Sequence, residues 1–307
     1  MTFEDFVKEV EKNIKNYLPE KYKNEEIVID NIKTSQGLYK GMYFSRKQNR
    51  IALTIDLEAV YQTLIIKKLD VKIILMELAA LIAYMLQEQL GLPDDIVEKI
   101  KDYNTVKNNL VIRFVSQIFN KELLKDIPFG QKEDLVFVYY IKIPVSDVDA
   151  PEYILITNQL LQMYGITINQ LHADAMTSTM EQYPAKIEQL EDVLTTLMRN
   201  DQSGEGVDYI SSITMVSNTS YSHGAVTILY PGMLETLGET IGSDFYVLPS
   251  SIHEVLVYPD DKEPDRKKCL SQMVKEVNRN EVDPKDRLSD SVYYYNIKTK
   301  KFEIIAE

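Results

Sequence analysis

The stretch that decides the fold class is LVFVYYIKIPV, residues 135–145. Its run of β-branched and aromatic residues is continuous rather than alternating, which is typical of a central strand that is covered on both faces. Two similar runs flank it, NNLVIRFV at 108–115 and EYILITN at 152–158, and each predicts a neighbouring strand. We therefore expect a sheet in the middle of the chain.

Towards the N-terminus, helical and extended patterns follow one another. Residues 3–14 place apolar side chains at helical spacing, and this helix is predicted to end before Pro19. Asp56 and Asp70 each precede an apolar helical segment and are expected to cap it, because a carboxylate accepts the free amides of a first turn. The other predictions here are a meander and a third helix: strands at 26–32, 38–46 and 50–56, and a helix at 94–105.

The C-terminal half mixes the same kinds of segment. The predicted helices lie at 158–165 (capped by Asn158), 167–183, 187–200 and 264–279, and the predicted strands at 209–217, 224–230, 244–249 and 252–258, with a terminal hairpin at 291–307. Short antiparallel meanders that alternate with helix pairs predict an α+β fold. The turn SDVDAP (146–151) predicts two packed subdomains, an N-terminal one at 1–150 and an acidic C-terminal one at 151–307, although it would also fit within one domain.

Several protein classes are excluded by composition. A single cysteine, Cys269, rules out an internal disulfide framework and a cysteine-based zinc cluster. The first residues lack the basic and then apolar pattern of a signal peptide. The most apolar segment, 73–86, contains Glu77 and is shorter than the roughly 20 residues that cross a bilayer. No phosphate-binding loop, dinucleotide fingerprint or kinase signature is present, so we expect a cytoplasmic protein without membrane contact or cofactor.

Negative charge is concentrated in the second half of the chain. Residues 1–150 have a net charge of −2, whereas residues 151–307, with 13 basic and 24 acidic side chains, have a net charge of −11. Between 151 and 250 only Lys186 and Arg199 are basic, so this half would repel a phosphate backbone. Nucleic acid is therefore not an expected partner. A basic protein or a cationic ligand would fit the charge, and solubility alone would also account for it.

The segment DFYVLPSSIHEVLVYP, 244–259, holds the candidate catalytic residues Asp244, Ser251, His253 and Glu254. In an extended strand, successive side chains alternate between faces, so His253 and Glu254 would point apart. A helical zinc motif needs a second histidine four positions later, where a valine stands, and no glycine-flanked elbow surrounds Ser251. We interpret His253 as a structural or partner-contacting residue, with a catalytic centre as the alternative.

The other two histidines have simpler interpretations. His172 shares a helical face with Met176, which predicts a packed side chain. His223 lies in a loop before a predicted strand, which is typical of a solvated turn. The alternative is a metal site built on His223 and His253 together with the carboxylates of Asp244 and Glu254. Such a site would require contact between segments that are distant in the sequence.

Three segments carry a family resemblance: ELLKDIPFGQKEDLVFVYYI (122–141), YILITNQLLQMYGITINQLHADAMTSTM (153–180) and AVTILYPGMLETLGETIGSDFYVLPSSIHEVLVYPD (225–260). In this order they resemble, over nearly the whole chain, a family of Firmicutes proteins that carries a domain-of-unknown-function label. The chain is more weakly similar to the YtpQ-like uncharacterised family, in which a proline, histidine, polar, acid segment follows a helix; the equivalent here is 249–254, with two extra residues. The resemblance implies an architecture and a cytoplasmic bacterial setting, and it transfers no catalytic residue.

The predicted function is non-catalytic recognition of a protein or small ligand. No catalytic constellation is recognisable in the sequence, and the second half is strongly acidic. The alternative function is a metal-dependent or serine/histidine-type hydrolase centred on His253 and Glu254. Bound metal, or a cleft that joins these side chains, would favour the alternative.

Overall fold

The computed structural model describes residues 1–34, 37–44, 54–87, 94–143, 151–193 and 213–305. The chain forms two compact units, Met1–Asp102 and Tyr103–Glu307. Both combine helices with antiparallel sheets, so the predicted α+β class is confirmed. The subdomain boundary predicted at residue 150 lies within 144–150, which is outside the described residues. The strands before and after these residues pair with each other in one sheet.

The smaller unit joins helices to a three-stranded antiparallel meander. Its elements are α1 (Phe3–Tyr17), β1 (Ile27–Thr34), β2 (Gly37–Phe44), β3 (Ile55–Asp56), α2 (Leu57–Lys67), α3 (Val71–Gln87) and α4 (Asp94–Lys101). The Asp56 carboxylate accepts hydrogen bonds from the backbone N–H groups of Glu58 and Ala59, at 2.8 and 3.2 Å. Asp70 accepts from the N–H of Lys72 at 2.8 Å. Both predicted helix caps are therefore confirmed.

The core of the smaller unit lies between α1, α3 and the meander. It is formed by the fully buried apolar side chains Phe6, Val10, Ile14, Met42, Leu57, Ile74, Leu75, Leu78 and Ile82. Phe6, Val10 and Ile14 recur along α1 at the helical spacing that the sequence pattern predicts, so this helix buries its predicted face.

The larger unit begins with a four-stranded sheet and the helices that follow it. Its elements are α5 (Tyr103–Val106), β4 (Leu110–Val115), β5 (Phe129–Lys132), β6 (Leu135–Ile143), β7 (Glu152–Leu155), α6 (Asn158–Tyr164) and α7 (Ile168–Gln182). β6 is the central strand, as predicted, with β4 on one side and β5 and β7 on the other. At the edge of the sheet, the Ile112 N–H of β4 donates to the Thr179 hydroxyl of α7 at 2.9 Å.

A six-stranded sheet completes the larger unit, in the order β13-β12-β10-β11-β9-β8. The strands are β8 (Ala185–Gln189), β9 (Thr214–Asn218), β10 (Phe245–Pro249), β11 (Val255–Pro259), β12 (Tyr293–Asn296) and β13 (Lys301–Ile304), and the helices are α8 (Met233–Ile241) and α9 (Arg266–Asn280). One face of the sheet packs on α9 through Tyr246, Leu248 and Tyr258. The terminal hairpin is confirmed as β12 and β13.

Some local predictions are wrong where a distant contact decides the structure. Residues 185–189 form strand β8 rather than entering the helix predicted from 187, because they pair with β9 across the sheet. Residues Gly224–Leu229 form a 3-10 helix rather than a strand, and the Thr227 hydroxyl closes it by donating to the Gly224 carbonyl at 2.7 Å. The helix predicted at 94–105 is interrupted at Asp102, where the two compact units meet in sequence.

The predicted cap of α6, Asn158, is also wrong, by one residue. The Thr157 hydroxyl accepts from the Leu160 N–H at 3.1 Å, so Thr157 caps this helix and Asn158 is its first residue. Gly165 ends α6 in the left-handed conformation, as the sequence predicts.

Candidate functional site

The loop between β10 and β11 is longer than the predicted strands at 244–249 and 252–258 leave room for. The ladder ends with Pro249 opposite Val255, so the extended structure begins three residues later than predicted. The Ser251 hydroxyl holds the loop, because it accepts from the His253 N–H and donates to Glu254 Oε1, both at 2.9 Å. The physical reason for the error is that the loop satisfies these polar groups internally, which favours a turn over a strand.

A second loop, between β9 and the 3-10 helix, carries His223. The Asn218 amide fixes this loop by donating to the Ser222 carbonyl at 2.9 Å, and His223 adopts the left-handed conformation with φ 52°. Gly224 lies very close to both neighbouring segments. A Cβ there would come within 2.5 Å of the Asn218 nitrogen and 2.7 Å of the His253 carbonyl oxygen, so only glycine permits this approach.

The two loops bring His223 and His253 together. The His223 N–H donates to Nδ1 of His253 at 3.2 Å, and the ring centroids are 5.5 Å apart. Because Nδ1 accepts this bond, the proton of neutral His253 lies on Nε2, which is 3.8 Å from Asp286 Oδ1. The Ser222 hydroxyl lies 3.0 Å from Nδ1 of His223.

The candidate carboxylates do not join the histidines. Asp244 accepts from the Ile297 N–H at 3.0 Å and from the Tyr294 hydroxyl at 2.9 Å, at the other end of β10. Glu254 is held by Ser251 within the hairpin loop. In the part of the chain that the structure describes, no group of three or more histidine, cysteine, aspartate and glutamate side chains could hold a metal ion.

Arg113, which the sequence analysis did not single out, is the cation of this region. Its guanidinium carbon lies 3.5 Å from the ring centroid of Tyr153 and 5.4 Å from that of Tyr140. Nε of Arg113 is buried and has no hydrogen-bond partner, and no carboxylate forms an ion pair with this side chain, among the described residues. A signal was present in the sequence, because Arg113 is the one charged residue in the apolar run LVIRFV.

A small cavity lies at the edge of β4, where Arg113 and His223 come close. Its volume is about 10 Å³, which is the space of one water-sized atom. The remaining lining residues are Val111, Ile112, Thr179, Tyr183, Asn218, Ser222 and Val226. The cavity therefore lies between the edge of the four-stranded sheet and the loop that carries His223.

The protonation states of the cavity follow from burial and from one charge. Burial, then the charge of Arg113 and the neighbouring His253, lower the pKa of His223 to about 3. Burial also lowers the pKa of Arg113, which the nearby tyrosines partly oppose, but an arginine stays protonated at neutral pH. Burial raises the pKa of Tyr153. At neutral pH, Arg113 is therefore a cation beside the neutral His223 and Tyr153.

This arrangement suits binding better than catalysis. A general base is most effective when its pKa is close to the working pH, and that of His223 is far below neutrality. The Ser251 hydroxyl contacts a carboxylate and a backbone amide rather than an imidazole. In contrast, a guanidinium group without a carboxylate partner has the donors that an oxyanion requires.

His172 lies apart from the other histidines. Its Nδ1 is 3.3 Å from the Tyr139 hydroxyl, and its ring centroid is 5.2 Å from that of Phe137, so it packs α7 against β6. Burial lowers the pKa of His172.

Comparison with known proteins gives one family. No helix of the described residues has the length and apolar character that crossing a membrane requires. No curated protein and no solved structure matches the chain. A family model described as a family of unknown function, DUF5688, matches residues 3–297, which is nearly the whole chain. The chain therefore belongs to the DUF5688 family of unknown function.

Proposed function

We propose that this protein is a non-catalytic binding protein of the bacterial cytoplasm, and that its larger unit recognises a ligand through a carboxylate or phosphate group at Arg113. The observation that carries the proposal is the charge of Arg113, which is largely buried without a carboxylate partner among the described residues. Burying an unpaired charge costs on the order of several kcal/mol, so a buried charged side chain is normally paired or bound to a ligand.

The tyrosines around Arg113 reduce this cost without removing the charge. A cation over an aromatic ring gains about 2 kcal/mol when it is desolvated. The Tyr153 ring, at 3.5 Å from the guanidinium carbon, is placed for this interaction. Hydrogen bonding to Tyr153 engages part of the guanidinium, but the buried Nε has no partner among the described residues, so this donor of Arg113 remains unused.

The size of the cavity limits how a ligand would enter. About 10 Å³ admits one oxygen atom and not a whole carboxylate or phosphate group. Ser222 and Tyr183 line the same cavity, but their hydroxyls already contact His223 Nδ1 at 3.0 Å and the Tyr153 hydroxyl at 2.5 Å, so Arg113 is the main group for an oxyanion. The ligand would therefore insert a single oxygen and keep the rest of its structure outside.

A basic protein or a cationic ligand, as the net charge of −11 in residues 151–307 predicts, would bind to a different surface and is a separate proposal. The hydrolase alternative has one contact in its favour, the 3.0 Å distance from the Ser222 hydroxyl to Nδ1 of His223. A histidine with a pKa of about 3 is a weak base for that hydroxyl, so binding is the better supported function.

The test is the thermal unfolding of the intact chain in sodium acetate, phosphate and chloride at constant ionic strength. We expect acetate and phosphate to raise Tm by about 2–4 °C at concentrations well above Kd, because a ligand that binds only the folded state stabilises it. The Arg113→Met variant should lose this increase, and the Arg113 Nε–H resonance of the wild type should shift on titration.

Arg266→Met provides the matched control. Arg266 also faces a tyrosine ring, with its guanidinium carbon 5.1 Å from the centroid of Tyr258, but its Nε donates to the Asp261 carboxylate at 2.8 Å. This variant should keep the response to anions. Equal stabilisation of Arg113→Met, or no stabilisation of the wild type, would contradict the proposed function.

A further inference from the structure

A second cavity in the larger unit is large enough for an organic molecule. It has a volume of about 250 Å³ and lies between the loop after β4 and the C-terminal end of α9. We call it the α9 cleft; it is lined by Ser116, Ile118, Phe119, Lys275, Asn278, Arg279, Arg287, Leu288, Ser289 and Asp290. None of these residues belongs to the cavity at Arg113.

One wall of the α9 cleft is apolar and open to solvent. Ile118 is 71% exposed and Phe119 is 49% exposed, although both are large hydrophobic side chains. The loop that carries them is anchored, because the buried Asn120 amide donates to the Ser116 carbonyl at 2.8 Å. Adjacent exposed apolar residues on a fixed loop are typical of a binding surface.

The opposite wall is basic. Lys275 and Arg279 are four residues apart on α9 and therefore lie on the same helix face. Arg287 is held against the end of α9, since its Nε donates to the Val282 carbonyl at 3.0 Å. No hydrogen bond or ion pair joins the Arg279 guanidinium to another described residue.

The charges of the α9 cleft are not balanced by its own carboxylate. Asp290 is the one acidic residue of the lining, and it accepts from the Asn278 amide at 2.7 Å. Even with Lys275 set aside, Arg279 and Arg287 therefore stand against one carboxylate, in a half of the chain whose net charge is −11. A local positive field within a negative surface favours an anion over a neutral or cationic ligand.

From this combination we propose that the α9 cleft binds a small organic anion that has an apolar body, with the body on Ile118 and Phe119 and the charged group at Arg279. The volume of about 250 Å³ is near the lower end of small-molecule sites, which favours a small ligand over an extended peptide. Carboxylate, phosphate and sulfonate groups share the chemistry that the guanidinium recognises.

The test uses the full chain and the fluorescent anion 8-anilinonaphthalene-1-sulfonate. We expect saturable binding at one site, weakened about tenfold or more by Arg279→Glu, because the substitution places a like charge beside the sulfonate. Lys268→Glu makes the same change of charge on an exposed position of α9 outside the lining, and it should bind the probe nearly as the wild type does.

The apolar wall is tested in the same assay. Phe119→Ser should weaken the probe about tenfold, because the ring is the apolar contact for the probe. Met163→Ser removes another large side chain, 52% exposed on α6, and should leave binding unchanged. Equal binding by Arg279→Glu, Phe119→Ser and the wild type would overturn the assignment of the site.

Competition distinguishes the sign of the charge and the head group of the ligand. Octanoate and octyl phosphate should displace the probe, and whichever does so at the lower concentration identifies the preferred group, whereas octylammonium, which has the same tail, should not. Displacement by octylammonium as readily as by octanoate would overturn the proposed charge selection. Arg113→Met should retain probe binding, so that loss there together with normal binding by Arg279→Glu would also refute the α9 cleft as the site.

Discussion

Two polar regions of the larger unit differ in how their charges are balanced. In the first, which we call the tyrosine–carboxylate cluster, the Tyr294 hydroxyl lies 2.9 Å from Asp244 Oδ2 and 2.7 Å from Asp260 Oδ2. Lys262 adds a hydrogen bond to Asp260 at 2.7 Å. Around Arg113 the neighbours are again tyrosines: Tyr153 and Tyr140 present ring faces, Tyr153 also adds a hydrogen bond, and no carboxylate among the described residues forms an ion pair with the guanidinium.

The difference separates a structural cluster from a candidate site. Buried polar groups that satisfy one another contribute to stability and need no ligand. A buried cation that has no carboxylate partner and keeps an unused donor gains when an anion supplies oxygen atoms. The tyrosine–carboxylate cluster is therefore expected to respond to mutation in stability, and Arg113 is expected to respond in binding.

Acidification should produce the largest difference between the two regions in their contribution to the free energy of unfolding. The pKa of His223, beside Arg113, falls from 6.5 to about 3 on folding, so the folded state resists protonation between these values. Stability from this group is complete above pH 6.5 and is lost as the pH falls below it, by about 1.4 kcal/mol per pH unit at most. Urea unfolding at pH 7 and pH 4.5 measures the loss.

The matched variant for this prediction is His223→Asn, since asparagine tolerates the left-handed backbone and does not titrate here. Its stability should depend less on pH between 6.5 and 4 than that of the wild type. Burial opposes ionisation of Asp244, but hydrogen bonds from Ile297 and Tyr294 hold its pKa below the ordinary 3.8, so its contribution is lost only below that value. Parallel pH profiles of the two proteins would show that His223 is not the titrating group.

Removal of the shared hydroxyl from the tyrosine–carboxylate cluster should have the next largest effect. Tyr294→Phe deprives Asp244 and Asp260 of a common donor and should lower the free energy of unfolding by about 1–3 kcal/mol. In Tyr295→Phe the deleted hydroxyl has no hydrogen-bond partner among the described residues, so that change should cost less than about 0.5 kcal/mol. Equal costs in denaturant titrations would mean that the cluster is not held by this hydroxyl.

Replacement of the unbalanced cation should have the smallest effect on stability. Arg113→Met exchanges a buried charge without an ion pair for an apolar side chain of similar length, so the free energy of unfolding should change by less than about 1 kcal/mol or increase. A loss of several kcal/mol in urea unfolding would reveal a partner for Arg113 that stabilises the fold. Such a result would remove the contrast between the two regions.

The sequence predicts the elements that depend on neighbouring residues. The central strand β6 and the meander β1–β3 follow from their β-branched and aromatic runs, and the Asp56 and Asp70 caps follow from carboxylates next to the helices that they begin. Strand β8 could not be identified in this way, because Ile187 and its neighbours become extended only by pairing with β9. β8 ends at Gln189 and β9 begins at Thr214, so no short turn joins the two strands. Without such a turn, no local sequence pattern indicates the register of their pairing.

The candidate site was predictable only in part for the same reason. His223 and His253 were singled out as residue types, but the bond between them joins positions 30 residues apart and depends on two turns. The two segments approach where Gly224 carries no side chain, and one glycine in a loop does not reveal this in the sequence. Arg113 is visible as a charge within an apolar run, yet its lack of an ion partner is a property of the folded chain.

The bond from the Ile112 amide to the Thr179 hydroxyl has a consequence for association between copies of the chain. The hydroxyl in turn donates to the Ala175 carbonyl within α7, so a helix side chain takes the place that an incoming strand would fill. An open strand edge is a template on which other molecules add and aggregate. By occupying this amide, α7 protects the sheet against such intermolecular growth.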